Sequence, residues 1–353
     1  MANQCEQLIR LLKAEGVQVE LVRTNAPYWP ALVGHVPGVR AVFRLVPYLV
    51  SLWCALGRAQ VVHVLANSGW AWHLLAAPAL LAAKWRGVPA IVNYRGGLAD
   101  EFFSSAPTYV LRMLGSVNQR VTPSGFLVRV FRKHGLTADV IPNVIDLSRF
   151  KAIPRTSHAA PPHLIVTRNL EVIYDIPTAL KAFSIVREQH PGARLTVAGS
   201  GPELGALRQM TQRMNMADAV HFAGRIANAD IAQLYADADL VLNPSTADNM
   251  PNSILEALAS GVPVVSTDAG GIPDLVEHER TALLVRVGDA QAMAQAALRV
   301  LADSSLRTLL RRQGQQEVAR FSWPQVRDQW QRAYVRAANA SAVLPCTSGH
   351  SPR

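Results

Sequence analysis

The sequence predicts an α/β protein built from two doubly wound, Rossmann-like lobes that face each other across a cleft. Its 353 residues exceed the roughly 250 to 300 at which one hydrophobic core stops growing. Half of them are hydrophobic and only 17% are charged, ample for two cores and too apolar for a disordered chain. Short β-branched runs alternate along the chain with helical stretches, joined by Gly, Pro and Asn turns, which specifies parallel sheets covered by helices on both faces.

The elements follow in order. Residues 1–15 carry charges throughout and read as an amphipathic helix over 4–14 rather than a leader. Strands are expected at 17–22, 61–65, 90–94, 120–122 and 140–141. The uncharged run 59–83 is long enough for a membrane span, but His63, Asn67, Ser68, Gly69 and His73 interrupt it, so it reads as strand, loop and helix. Pro154, Pro161 and Pro162 mark a boundary, dividing a first lobe (1–150) from a second (151–322). The second lobe repeats the alternation, with strands at 163–167, 193–198, 220–223, 240–243, 262–267 and 282–287 and helices such as 177–189 and 231–236. A C-terminal helix, 323–336, puts Trp330 and Tyr334 on one face, suited to packing on a lobe. Residues 337–353, small and polar, read as a disordered tail.

The net charge of +10 is uneven: residues 1–150 hold 15 Lys and Arg against 7 Asp and Glu, the remainder 20 against 18. Anionic lipid, a polyanionic substrate or nucleic acid could draw on that excess. Nucleic acid is set aside, since no zinc-finger spacing, aromatic RNA-binding signature or Lys/Arg block occurs. Cys5, Cys54 and Cys346 have neither paired nor metal-type spacing, which argues against a disulfide framework or a zinc site.

The segment 248–261 carries the most chemistry. A strand at 240–243 ends in a Pro-Ser-Thr loop, Pro251 stands where a first helical residue would, and Gly261 follows the last turn. A helix N-terminus there favours an anion such as a diphosphate. Asp248 and Glu256, eight residues apart, could accept hydrogen bonds from two hydroxyl-bearing parts of one ligand; on spacing alone, an N-terminal helix acid and a solvated Glu fit as well.

Asp248 through Glu256, then Ala257-Leu258-Ala259-Ser260-Gly261-Val262-Pro263-Val264-Val265 and Gly270-Gly271, resembles the signature of the retaining glycosyltransferases of family four, which have the GT-B fold. The likeness continues through Thr167-Arg168-Asn169-Leu170-Glu171, Val197-Ala198-Gly199-Ser200-Gly201-Pro202-Glu203 and Ile141-Pro142-Asn143. It is strong over 140–321 and weak in the first half.

The resemblance implies that Glu256 holds the nucleotide ribose, Asp248 faces the donor sugar, and backbone N–H groups of Asn249 and Met250 meet sugar hydroxyls and phosphate. Arg168 would bind the diphosphate, and Gly199-Ser200-Gly201 would let the backbone approach the nucleotide. Four departures stand out. Asp248 replaces a Glu, and Ile173 and Tyr174 occupy positions where the family places a Lys. After the strand at 90–94, where the family often has a His, comes Arg95-Gly96-Gly97; Arg95 could meet sugar or phosphate, Gly96 and Gly97 would admit the acceptor side, and a plain glycine turn is the alternative. His63 is an acceptor-side candidate that could equally be a core residue. The family opens on a strand and a glycine loop, whereas here a helix comes at once, so the first lobe is expected to lack its first strand and the activity to be impaired.

The function implied is transfer of a sugar from a nucleotide diphosphate donor to a glycan or lipid-linked acceptor, with no metal or cofactor. The rivals are a nucleotide-sugar epimerase or hydrolase, and a catalytically weak nucleotide-sugar-binding partner. A cytoplasmic location is expected, peripheral on the inner face of the membrane, because residues 40–58 mix Arg40, Arg44 and Arg58 with Val42, Phe43, Leu45, Val46, Tyr48, Leu49, Leu52 and Trp53.

Overall fold

A computed structural model describes residues 2–24, 39–151, 161–227 and 229–342. The chain divides into two compact units, one of Met1–Ile141 with Arg327–Arg353, the other of Pro142–Val326. The stretch around Pro154, Cys346 and the tail from 343 onward lie outside the described residues, as do the side chains of Arg40 and Val42.

The first unit runs α1 (Ala2–Ala14), α2 (Val39–Leu56), β1 (Val62–Ala66), a π-helical turn (Trp72–Ala76) leading into α3 (Ala77–Arg86), β2 (Ala90–Tyr94), α4 (Ala99–Ser105), α5 (Thr108–Ser116), β3 (Gln119–Thr122), α6 (Gly125–Lys133) and β4 (Asp139–Val140). Its parallel sheet has the order β1-β2-β3-β4. Covered on both faces, β2 is buried at every position, as its near-continuous apolar sequence requires. Trp72, Tyr94, Leu114, Leu127 and Phe131 fill the core, each worth about 1.5 to 3 kcal/mol of burial.

The second unit runs β5 (His163–Val166), a 3₁₀ turn (Val172–Tyr174), α7 (Ile176–Gln189), β6 (Arg194–Ala198), α8 (Leu204–Arg213), β7 (Val220–Gly224), α9 (Ile231–Ala236), β8 (Leu240–Asn243), α10 (Asn252–Ala259), β9 (Val264–Thr267), α11 (Ile272–Leu275), β10 (Leu283–Val285), α12 (Ala290–Ala302), α13 (Ser304–Val318) and a 3₁₀ turn (Ala319–Phe321). Its sheet order is β10-β9-β8-β5-β6-β7, all parallel. Side-chain alternation splits the core in two: Leu164 and Val166 pack with Phe183 and Val186 of α7 on one face, while Ile165 packs with Tyr235, Ile254 and Leu258 on the other. The strand order reverses between β5 and β8, and in open α/β sheets that reversal is where ligands bind, outside the carboxyl ends of the strands.

Three expectations need correction. Residues 17–22 form no strand, because a strand exists only by pairing and no described strand lies beside them. Residues 142–150 belong to the second unit rather than the first, since Ile145 donates its N–H to the Phe321 carbonyl (2.9 Å) and Phe150 is buried in the second core. The last helix, α14 (Trp323–Ala342), runs past 336: Ala337 is fully buried, and the alanines at 337, 338, 340 and 342 are strong helix formers. From Arg327 onward this helix belongs to the first unit, where Trp330 and Tyr334 pack on β1 as their spacing predicts. No helix among the described residues is long and apolar enough to cross a membrane.

Candidate active site

At the reversal, the loop after β5 and the loop after β8 leave the sheet in opposite directions, and a side chain from each meets the other. Arg168 Nη2 is ion-paired with Asp248 Oδ2, Nη1 reaches Ser253 Oγ at 3.4 Å, and the guanidinium carbon lies 4.1 Å from the centre of the Tyr174 ring. Both partners are nearly buried, with 10% and 13% of their side chains exposed. Removing one charge from so enclosed a pair costs about 3 to 5 kcal/mol, because the other is left buried alone. Arg168 Nε is buried with no hydrogen-bond partner, a spare donor in a cationic group. Asp248 Oδ1 accepts from the Asn249 N–H at 2.8 Å, so that amide serves its neighbour's carboxylate.

Glycines set how closely these loops approach one another. A Cβ on Gly199 would stand 1.9 Å from the Arg168 carbonyl oxygen, and one on Gly201 would stand 2.2 Å from that of Leu170. The Gly199-Ser200-Gly201 segment is thus glycine-bearing because it lies against the chain's own Arg168 loop, with Leu170 N–H donating to Ser200 O at 3.1 Å. After β9, Gly270 (φ +56°) would place a Cβ 2.1 Å from the Asp248 carbonyl oxygen, and the Gly271 N–H donates to that oxygen at 2.9 Å. Loops from β5, β6, β8 and β9 therefore brace each other by backbone contact.

The helix α10 begins at Asn252, not at Pro251. Asn143 Nδ2 grips the Met250 carbonyl (3.0 Å) and Asn252 Oδ1 (2.8 Å), and Pro251 stays extended at φ −67°, ψ 121°. No side chain caps the start of α10 among the described residues, so its first N–H groups suit an anion. Gly261 (φ +65°) ends the helix as expected, with Val262 N–H donating to Ala257 O at 2.9 Å. Glu256, on the second turn, accepts from Tyr235 Oη at 3.0 Å. Burial lifts its carboxyl to about 7, against the opposing pull of that hydrogen bond and of the Arg149 and Arg168 charges.

In the first unit the candidates are packed differently. Gly96 is buried where a Cβ would meet Ser68 Oγ at 2.5 Å and Asn67 Oδ1 at 2.7 Å, so the loops after β1 and β2 close on each other. Arg95, beside it, is half-buried, and burial pulls its guanidinium down to about 10. Gly97 follows in the same turn. His63 is the second residue of β1, not its end. Its Nδ1 meets Tyr334 Oη at 2.8 Å and its ring lies 5.0 Å from Trp330. Burial, helped by the Arg95 charge, holds it neutral down to about 4, as suits a histidine packed under α14.

The structure thus brings Arg168, Asp248, Ser253 and Glu256 to one strand-order reversal and leaves Arg95, Gly96, Gly97 and His63 in the other unit. It adds Tyr235 and Ser253, which sequence reasoning missed, and gives Tyr174 a place beside Arg168. Tyr174, standing where the resembled family has a Lys, supplies an aromatic face to Arg168 in place of a second charge; the cue lay in its spacing from Arg168 alone.

The family model described as "Glycosyltransferase Family 4" matches residues 1–149, and "Glycosyl transferases group 1" matches residues 161–303. Putative colanic acid biosynthesis glycosyltransferase WcaL of Escherichia coli is 32% identical over 157 residues, 43% of this chain and 39% of that protein. N-acetyl-alpha-D-glucosaminyl L-malate synthase of Bacillus anthracis is 35% identical over 144 residues, 40% of this chain and 37% of that protein. The matched segments therefore span about two fifths of these relatives. Among solved structures, Anabaena Alr3699/HepE in complex with UDP and glucose superposes with a TM-score of 0.72 at 19% identity, covering 92% of this chain and 87% of that one. With both halves matched in sequence and the fold shared along most of its length, the chain belongs to the family 4 glycosyltransferases and has the GT-B fold.

Proposed function

We propose that this chain is a retaining glycosyltransferase that moves a sugar from a nucleotide diphosphate donor to a glycan or lipid-linked acceptor. The observation that carries the reading is the meeting of Arg168, the open start of α10 and Glu256 at one strand-order reversal. Arg168 and the helix N–H groups neutralise the departing diphosphate, and the ionised Glu256 accepts from the ribose hydroxyls. To reach the phosphate, Arg168 exchanges Asp248 for the ligand, which frees Asp248 to face the donor sugar. The anomeric carbon–oxygen bond to phosphate breaks, the bond to the acceptor oxygen forms on the same face, and the acceptor proton passes to the departing phosphate. Arg95 and the Gly96-Gly97 turn belong to the acceptor side.

The cation that a metal would supply is provided by Arg168, so turnover is expected to survive a chelator. UDP-glucose and GDP-mannose are the first donors to test. Sugar transferred to a lipid-linked or glycan acceptor in the presence of chelator supports the reading; release of free sugar alone, with or without acceptor, refutes it in favour of hydrolysis.

We further propose that the first unit rests on an anionic membrane surface on the cytoplasmic side. In support, α2 exposes Phe43, Val46, Val50 and Trp53 along one helical face, and Trp70 (77% exposed), Leu74, Leu81 and Trp85 (76% exposed) stand out around the π-helical turn and α3. Residues 21–99 contain no Asp or Glu, while Arg40, Arg44, Arg58, Lys84, Arg86 and Arg95 lie among them. Apolar insertion and attraction to acidic headgroups then act together. Sedimentation with phosphatidylglycerol vesicles, lost in high salt and in Trp53→Glu or Trp85→Glu, is the expected result; binding indifferent to lipid charge and salt refutes it.

A further inference from the structure

Tyr235, on α9, is fully buried, its ring 5.9 Å from that of Phe150 in an edge-on contact. Its hydroxyl faces three oxygens: Thr167 Oγ1 at 2.7 Å, Glu256 Oε2 at 3.0 Å and the Ser253 carbonyl at 3.2 Å. A phenol has one proton. The Ser253 carbonyl can only accept, and so can an ionised Glu256, while the Thr167 hydroxyl can donate to the phenol oxygen throughout. Two arrangements fit. With Glu256 ionised, Tyr235 donates to Oε2; with Glu256 protonated, the carboxyl O–H donates to the phenol oxygen and the phenol proton turns to the Ser253 carbonyl.

We propose that Tyr235 is a positioning residue that holds Glu256 ionised and aimed at the donor, by directing its single hydroxyl proton to Glu256 rather than to the backbone of α10. This rests on the reading of Glu256 as the ribose ligand, although the proton balance stands without it. The arrangement spans the strand-order reversal: Thr167 directly follows β5, Ser253 is the second residue of α10, and Tyr235 belongs to the helix between β7 and β8. The groups that bear on Glu256 are Tyr235 itself, Arg149 from the segment before β5 and Arg168 from the loop after it, with burial opposing all three. Because that balance leaves the carboxyl at about 7, both arrangements are populated near neutrality, and losing the phenol proton tips Glu256 toward its protonated form.

The test is a ¹³C NMR titration of the Glu256 carboxyl in the full chain, assigned through Glu256→Gln, in the native sequence and in Tyr235→Phe, which keeps the ring. UDP affinity is measured by calorimetry over the same pH range. The carboxyl midpoint is expected to rise by about one unit in Tyr235→Phe. The acid limb of UDP binding should move with it, weakening binding about tenfold just below neutrality and leaving it unchanged at pH 9. Purely structural damage would weaken binding equally at all pH values and leave the midpoint in place. Should Tyr235→Phe not fold, Thr167→Val, which withdraws the hydroxyl that polarises the phenol, is expected to raise the midpoint in the same direction. An unmoved Glu256 midpoint in a folded variant overturns the proposal. Native protein that does not bind UDP overturns the choice of UDP as probe and leaves the carboxyl titration to decide the role of Tyr235.

Discussion

Both units place an arginine just beyond a parallel strand and glycines where the loops meet, yet the outcomes differ. In the second unit the strand order reverses between β5 and β8, so the loops diverge and Arg168 meets Asp248 at the gap. Among the described residues of the first unit the order runs from β1 to β4 without a reversal, and the loop after β1 closes directly on Gly96. The same residue types therefore make a nearly buried polar cluster in one unit and a packed turn in the other. Topology, more than composition, decides which loop can face a ligand.

The largest effect that could break this contrast is Arg168→Ala. It strands Asp248 beside buried surface, with an expected loss of about 3 to 5 kcal/mol in urea unfolding, and it removes a charged contact worth roughly 10- to 150-fold in nucleotide affinity. Arg95→Ala is expected to leave nucleotide affinity unchanged by calorimetry; equal losses in the two variants would erase the distinction between the loops.

Next is a pair of glycines. Gly270→Ala drives a Cβ into the Asp248 carbonyl at a positive φ, and about 3 kcal/mol is expected. Gly96→Ala meets first the side-chain ends of Ser68 and Asn67, which can turn aside, and the Ser68 backbone nitrogen only at 3.2 Å, and about 1 kcal/mol is expected. Thermal unfolding of both variants ranks them, and a larger loss at Gly96 would show that the first-unit turn is the more rigid.

The remaining effect is in acid. His63, at about 4 in the fold against an ordinary 6.5, stabilises the first unit as a neutral ring; this contribution is complete above 6.5 and is lost as pH falls toward 4. Glu256, raised from an ordinary 4.5 to about 7, has the opposite sign: its cost is absent below 4.5 and complete above 7. Lowering the pH from 7 to 4.5 should loosen β1 and α14 and tighten β5 and α10, each by at most about 3 kcal/mol, as read by hydrogen exchange of peptides from each. Movement in the same direction in both units would break the comparison.

The second unit was the more legible in sequence. Leu240–Asn243 and Ile231–Ala236 fall where alternation puts them, because buried parallel strands are continuous apolar runs and the stretches between them are helical. Residues 17–22 carry the same β-branched signal and form no strand, since strand propensity says nothing about whether a partner is present. Arg168, Asp248 and Glu256 were marked by spacing and resemblance. Tyr235 was not, because within Ile231–Ala236 it looks like any core aromatic, and its work is done by one hydroxyl meeting groups 18, 21 and 68 residues away in sequence. Gly199 and Gly201 also accommodate the protein's own backbone, a contact that their spacing in the sequence does not reveal.

The backbone contacts of Gly199 with Arg168, Gly201 with Leu170 and Gly270 with Asp248 also govern how such a site can be altered. None of these loops can be exchanged singly, because a donor loop carrying a side chain at any of the three positions meets a carbonyl oxygen that cannot swing away. Chimaeras built to change donor preference should therefore succeed when the segments after β5, β6, β8 and β9 are transplanted as one block and fail when they are shuffled. By the same constraint, substitutions that diversify this site must accumulate on side chains pointing away from the braces.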